Sequence, residues 1–171
     1  MRIFLRTALL CTALVTLLLS LRMTAPASPS GDADAIRALV ESYRHAFEAR
    51  NIDGIMAVYA PSDLFVFDAV PPRDYPSAAA YRQDWLEILK LFPGRVRDRV
   101  EQFSVTVQGS IAYGHHVEDV RLTRKDGSVW HVVLRITDVY RREGQRWQIV
   151  QEHVSWPVDP ATGKADFLSR E

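Results

Sequence analysis

The 171-residue chain balances 21 basic against 21 acidic residues and contains one cysteine, Cys11. That balance argues against nucleic-acid binding, which needs a basic patch, and no nucleic-acid partner is expected. A lone cysteine excludes an internal disulfide framework and a cysteine metal site.

Arg2 and Arg6 precede an apolar run, Ala8 to Leu21, broken only by Thr12, Thr16 and Ser20. Ala25-Pro26-Ala27 then supplies the small-x-small pattern of a signal-peptidase site. The run is short for a membrane span, which needs about 20 apolar residues. Residues 1–27 are therefore expected to be a cleaved secretory signal, with an uncleaved anchor as the alternative because Arg22 lies close to the cut. The mature chain, 28–171, is expected to be secreted or periplasmic, with no stable membrane insertion. The leader holds three arginines and no acid, which leaves 18 basic against 21 acidic residues in a 144-residue chain. That length fits one domain with its own core.

From Asp32, apolar residues at Ile36, Leu39, Val40, Tyr43 and Phe47 recur at helical spacing and predict an amphipathic helix ending near Arg50. Asp53 is a cap for a short second helix carrying Ile55, Met56 and Tyr59, stopped by Pro61. Leu64–Asp68 reads as a brief strand, followed by a loop marked by Pro71, Pro72 and Pro76. Ser77 is placed to cap a third helix whose inner face holds Tyr81, Trp85, Ile88, Leu89 and Phe92. Pro93-Gly94 ends it. From about Arg95 to Ser155 the period becomes two, with turns at Gly109-Ser110, Asp126-Gly127 and Gly144. This predicts four long strands in a meander. The expected class is α+β: three N-terminal helices packed on a curved antiparallel sheet, with an apolar pocket between the layers. The tail after Trp156 is expected to run irregularly along the surface.

Parity singles out one acid. Between Val129 and Tyr140 the even positions are Trp130, Val132, Leu134, Ile136, Asp138 and Tyr140, so Asp138 shares the apolar face. A carboxyl group there either finds a partner or stays protonated. His115, His116, Glu118, His131 and His153 invite a metal reading, but His115 and His116 point to opposite faces and no zincin spacing exists. No metal site is expected. Phosphate-binding and serine-hydrolase motifs are missing as well.

Three stretches carry a resemblance: YRHAFEARNIDGIMAVYA at Tyr43–Ala60, LFVFD at Leu64–Asp68, and TDVYRREGQRWQIVQEHVS at Thr137–Ser155. Together they resemble the NTF2-like superfamily, in the branch shared by SnoaL-like proteins and ketosteroid isomerases. The resemblance implies the cone-shaped, cystatin-like fold over residues 28–171 and a homodimer formed through the sheet. It implies cofactor-free acid–base chemistry on a small hydrophobic carbonyl compound, of isomerase, cyclase or dehydratase type. Asp68 would be the base, with Tyr43 and Asp138 bonding the developing oxyanion. Tyr59, Trp85 and His153 are the expected substrate contacts. The superfamily also includes proteins without chemistry. A non-catalytic binding module for a hydrophobic ligand and a dimeric interaction protein therefore stay open. The residues have structural readings too: Asp68 as a turn cap, Asp138 as a paired structural acid, Tyr43 as core.

Overall fold

The computed structural model describes residues 29–168, so the expected signal, residues 1–27, lies outside the described residues. Helix α1 spans Pro29–Glu48. Its Ile36, Val40 and Phe47 are buried, as the helical period requires. Asn51, not Asp53, caps the short helix α2 (Ile52–Met56), its side chain accepting from the Gly54 N–H at 3.1 Å. Asp53 instead takes an ion pair from Arg82 at 2.7 Å. Tyr59 lies beyond α2, in an isolated bridge to Ile149.

Strand β1 is only Phe65–Phe67, bounded by the buried Leu64 and by Asp68. Ser77 caps α3 (Ala78–Leu91) and accepts from the Ala80 N–H at 3.2 Å. Arg50 stands at a φ of 58° and donates to the carbonyls of Leu89, Phe92 and Gly94. It thereby satisfies the otherwise orphaned C-terminal groups of α3 and fastens that helix to the end of α1.

The meander follows as β2 (Val96–Gln108), β3 (Ile111–Thr123), β4 (Val129–Glu143) and β5 (Arg146–Ser155). The sheet order is β1-β5-β4-β3-β2. The four long strands are antiparallel as expected, and β1 joins β5 in parallel. The antiparallel meander is thus extended at one edge by a short parallel strand.

Two irregularities shape the inner face. In β2 the register slips between Glu101 and Ser104, where Gln102 has a φ of 52°. A Cβ at Gly114 on β3 would sit 2.6 Å from the Ser104 carbonyl oxygen, so only glycine admits this approach. In β5 the pairing passes from Val139↔Gln151 to Tyr140↔Ile149, leaving Val150 as the extra residue. Parity therefore inverts: Trp147 and Ile149 face inward on one side of the bulge, Glu152 and Val154 on the other.

The segment after Trp156 is more ordered than expected. Val158 bridges Ala165, and the Val133 N–H donates to the Phe167 carbonyl at 2.7 Å. The Phe167 ring packs on Trp130 and Trp156 at 6.1 and 5.0 Å between centroids. Among the described residues no helix is long and apolar enough to cross a membrane.

Candidate active site

Between the helices and the sheet lies a cavity of about 80 Å³. Helix α1 contributes Tyr43 and Phe47, α3 contributes Tyr81 and Trp85, and β3, β4 and β5 supply an aliphatic wall. Four acids line it: Asp68 and Asp84, both half-buried, with Glu118 on β3 and Glu152 on β5, both buried. No lysine, arginine or histidine is among its lining residues.

Asp68 is both a turn residue and a cavity residue. Its Oδ1 accepts from the Val70 N–H at 3.2 Å, which is a turn cap, and the residue also lines the cavity. Burial raises its pKa, while the Val70 and Ala69 backbone donors and the Tyr81 hydroxyl oppose that rise. The same Tyr81 hydroxyl donates to Glu152 Oε1 at 2.8 Å, so one phenol lies between the two acids.

Asp138 faces inward as parity predicted and is 1% exposed, yet it does not line the cavity. Its cross-strand partner Glu152 does. Tyr140 donates to Asp138 Oδ2 at 2.7 Å, and His116 Nδ1 lies 3.8 Å from the same oxygen. Burial pushes the Asp138 carboxyl up to about 6, while His116 and the Tyr140 and Glu152 hydrogen bonds act to lower it. Glu152 is raised well above the usual carboxylate range, first by burial and then by the Asp138 charge. Burial thus raises both carboxyl groups, and the Asp138 charge adds to the rise at Glu152. The expectation that Asp138 faces the cavity beside Asp68 and Tyr43 is met only in direction: Glu152 stands among the lining residues and Asp138 does not.

The remaining expectations divide. Tyr43 lines the cavity, its ring 5.9 Å from Trp85 and 6.0 Å from Phe47, with its hydroxyl pKa raised by burial. Trp85 also lines it, and its buried indole Nε1 has no hydrogen-bond partner. Tyr59 stands behind the wall and donates to both Glu152 oxygens, at 3.2 and 3.0 Å. His153 is exposed, on the opposite face to Glu152, with its ring against Phe67 at 5.7 Å. The Val150 bulge causes that correction, and Glu152 takes the pocket position expected of His153.

Glu118 had entered only as a possible metal ligand. Its Oε1 lies 3.1 Å from His116 Nε2, and burial pushes it up to about 8, with the Asp68 charge adding to the rise. Asp98 on β2 is buried with neither carboxyl oxygen hydrogen-bonded, and burial beside Glu118 pushes it up to about 9. Among the described residues, no three histidines or acids are grouped to hold a metal. Strand parity on β3, where Glu118 shares a face with Val120's neighbours at His116 and Leu122, is the signal that could have placed it in the pocket.

The SnoaL-like domain profile matches residues 36–159, well over half the chain. The chain belongs to the SnoaL-like domain family. An NTF2-like protein of unknown function from Pseudomonas putida is 31% identical, with a TM-score of 0.74, covering 83% of this chain and 98% of that one. An NTF2-like superfamily protein from Salmonella enterica has a TM-score of 0.71 at 14% identity, covering 81% and 100%. A ketosteroid isomerase-like protein from Erwinia carotovora has a TM-score of 0.62 at 17% identity, covering 72% and 95%. Those two likenesses speak for the fold alone. Among curated proteins none matches this SnoaL-like chain.

Proposed function

We propose that this SnoaL-like protein binds a small hydrophobic carbonyl compound and moves a proton on it by cofactor-free acid–base catalysis. The observation that carries the reading is that Asp68 and Glu152 line one largely apolar cavity with Tyr81, whose hydroxyl donates to Glu152. Asp68, with backbone donors and partial exposure, is the group suited to ionise and abstract a proton α to the carbonyl. Tyr43 and the neutral acids of the floor are suited to hydrogen-bond the oxygen as charge develops there. A cavity lined by four acids and no base disfavours carboxylate ligands and admits neutral ones.

The test is α-hydrogen exchange in deuterated buffer, followed by NMR over a panel of small cyclic ketones. Wild-type protein should catalyse exchange on at least one. Asp68→Asn should lower that rate ~10²-fold or more while a fluorescent apolar probe still binds. One observation favours the second reading, a binding module: Asp68 Oδ1 already caps the turn through Val70. Probe binding with no exchange on any ketone would select it.

We further propose that the protein acts outside the cytoplasm after cleavage near Ala27, supported by the basic start, apolar run and Ala25-Pro26-Ala27 pattern. N-terminal sequencing of exported material should return Ser28; intact Met1 in the membrane would speak for an anchor. A homodimer through the sheet remains our proposal from the resemblance. Val154 and Trp156 line the cavity and are not available to such a contact. The exposed Phe65, Phe67 and Tyr113 do support an apolar contact there. Light scattering should give twice the monomer mass.

A further inference from the structure

A second recess, of about 320 Å³, opens at β2, the edge strand opposite β1. Four arginines line it, Arg95, Arg97, Arg99 and Arg121, with Glu48, Asp98 and Asp119. The β2 arginines alternate with Val96 and Asp98, so strand parity holds all three on the outer face while those two are buried. Arg121 on β3 is the direct cross-strand partner of Arg97. Like charges placed opposite each other destabilise a strand pair, and here two arginines are so placed.

The acids of the recess do not neutralise this cluster. Asp119 is shared, its carboxylate lying 2.9 Å from Arg121, 3.5 Å from Arg99 and 2.9 Å from His131. Glu48 is committed to Arg44 at 3.0 Å and to the Asp98 N–H at 3.1 Å. The Asp98 carboxyl is buried without a hydrogen bond, and burial, then the Glu118 charge, pushes it up to about 9. It sets no charge against the arginines near neutral pH. Arg121 and Arg99 are thus braced by one buried carboxylate, and Arg99 also pairs with Glu101. Arg95 and Arg97 are exposed and make no ion pair among the described residues.

We propose that this recess binds a small soluble phosphate monoester, its phosphoryl group seated between Arg97 and Arg121 with Arg95 alongside. A guanidinium fork matches a tetrahedral oxyanion with two parallel N–H donors, and a phosphoryl group has oxygens enough for two forks. Its double charge also offsets the repulsion between the paired arginines. Asp119 holds Arg121 in place before the ligand arrives, so less side-chain freedom is lost on binding. No apolar residue is among the lining residues, so the recess offers nothing to an acyl chain or an aromatic ring. Its ligand is therefore of a different class from the hydrophobic compound of the cavity, and the two sites stand or fall separately. Tyr113 lies at the other end of β3, so the apolar sheet contact does not require this surface.

The test is an NMR titration of the arginine Nε–H signals in ¹⁵N-labelled protein with glycerol 1-phosphate, at an ionic strength held constant with sodium chloride. The Arg97 and Arg121 signals should shift and saturate. Arg97→Ala should weaken binding ~10-fold or more, and so should Arg97→Lys, which keeps the charge and loses the fork. Arg97 is exposed and unpaired, so neither change disturbs the fold. Arg135→Ala, which removes an exposed arginine of β4 outside the recess, should alter affinity less than ~2-fold. Shifts that never saturate, a loss with Arg135→Ala as large as with Arg97→Ala, or full affinity in Arg97→Lys would each overturn the proposal. So would binding to phosphatidic acid vesicles with none to glycerol 1-phosphate, which would assign the arginines to a lipid surface.

Discussion

Buried acids in this molecule are treated in two ways, and the contrast separates scaffold from site. Asp32 at the start of α1 accepts from Arg142 Nη1 and Trp147 Nε1, both at 3.0 Å. Asp119 on β3 lies 2.9 Å from Arg121, 2.9 Å from His131 and 3.5 Å from Arg99. Each is held by a cation, as a structural carboxylate is. Among the described residues, the side-chain partners of Glu118, Asp138 and Glu152, one strand face away, are the hydroxyls of Tyr59, Tyr81 and Tyr140 and the His116 imidazole. Asp119 and Glu118 are adjacent in sequence, so strand parity alone sends one to the arginines and its neighbour to the cavity. The chain has arginines to spare. Their exclusion from the cavity leaves Glu118 and Glu152 without a cation, and burial raises the pKa of both.

Removing the cation from the first kind of acid should have the largest effect. Arg142→Ala should destabilise the fold by about 3 kcal/mol, because Asp32 is left buried with Trp147 as its remaining polar partner. Urea unfolding at neutral pH measures this. The second kind of acid should respond in the opposite sense. Glu118 binds its proton more tightly folded than unfolded, since burial pushes it up to about 8. Its unfavourable contribution is therefore absent below the ordinary glutamate pKa and grows as pH rises toward about 8. Glu118→Gln should flatten the fall in stability over that window, and at mildly alkaline pH be more stable than wild type by on the order of 1 kcal/mol or more. Urea titrations at a series of pH values give both curves.

What the sequence made legible follows the same division. Element types, the Ser77 cap and the inward face of β4 were readable because periodicity and turn residues are local signals. The Asn51 cap was missed because Asn51 and Asp53 are both good caps, and Arg82, distant in sequence, claims Asp53. The site was only half readable. Tyr43, Trp85 and Asp68 lie where pattern and resemblance put them, lining the cavity. Glu152 was hidden by the Val150 bulge, which no local rule marks, although Trp147 and Ile149 share their apolar character with Val154 and Trp156 across a shift of parity. Asp138 was legible in direction but not in depth, because parity tells which way a side chain points and not what stands in front of it.

The smallest expected effect lies on the outer face. His153→Ala should change stability by no more than about 0.5 kcal/mol and leave apolar-probe binding unaltered, since its ring meets only the exposed Phe67. Glu152→Ala, its immediate neighbour, should weaken probe binding and strand the Tyr59 and Tyr81 hydroxyls. A comparable loss from both substitutions would mean that the bulge does not invert β5.

The central claim is that the cavity floor is acidic in composition and largely uncharged. Its most direct test is a ¹³C NMR titration of side-chain carboxyl groups in protein labelled at aspartate and glutamate, with Glu118→Gln and Glu152→Gln for assignment. Glu118 and Glu152 should remain protonated through mildly acidic pH, Glu118 releasing its proton only near pH 8, while Asp138 ionises near pH 6. Titration of Glu118 and Glu152 together in the ordinary carboxylate range would contradict the account.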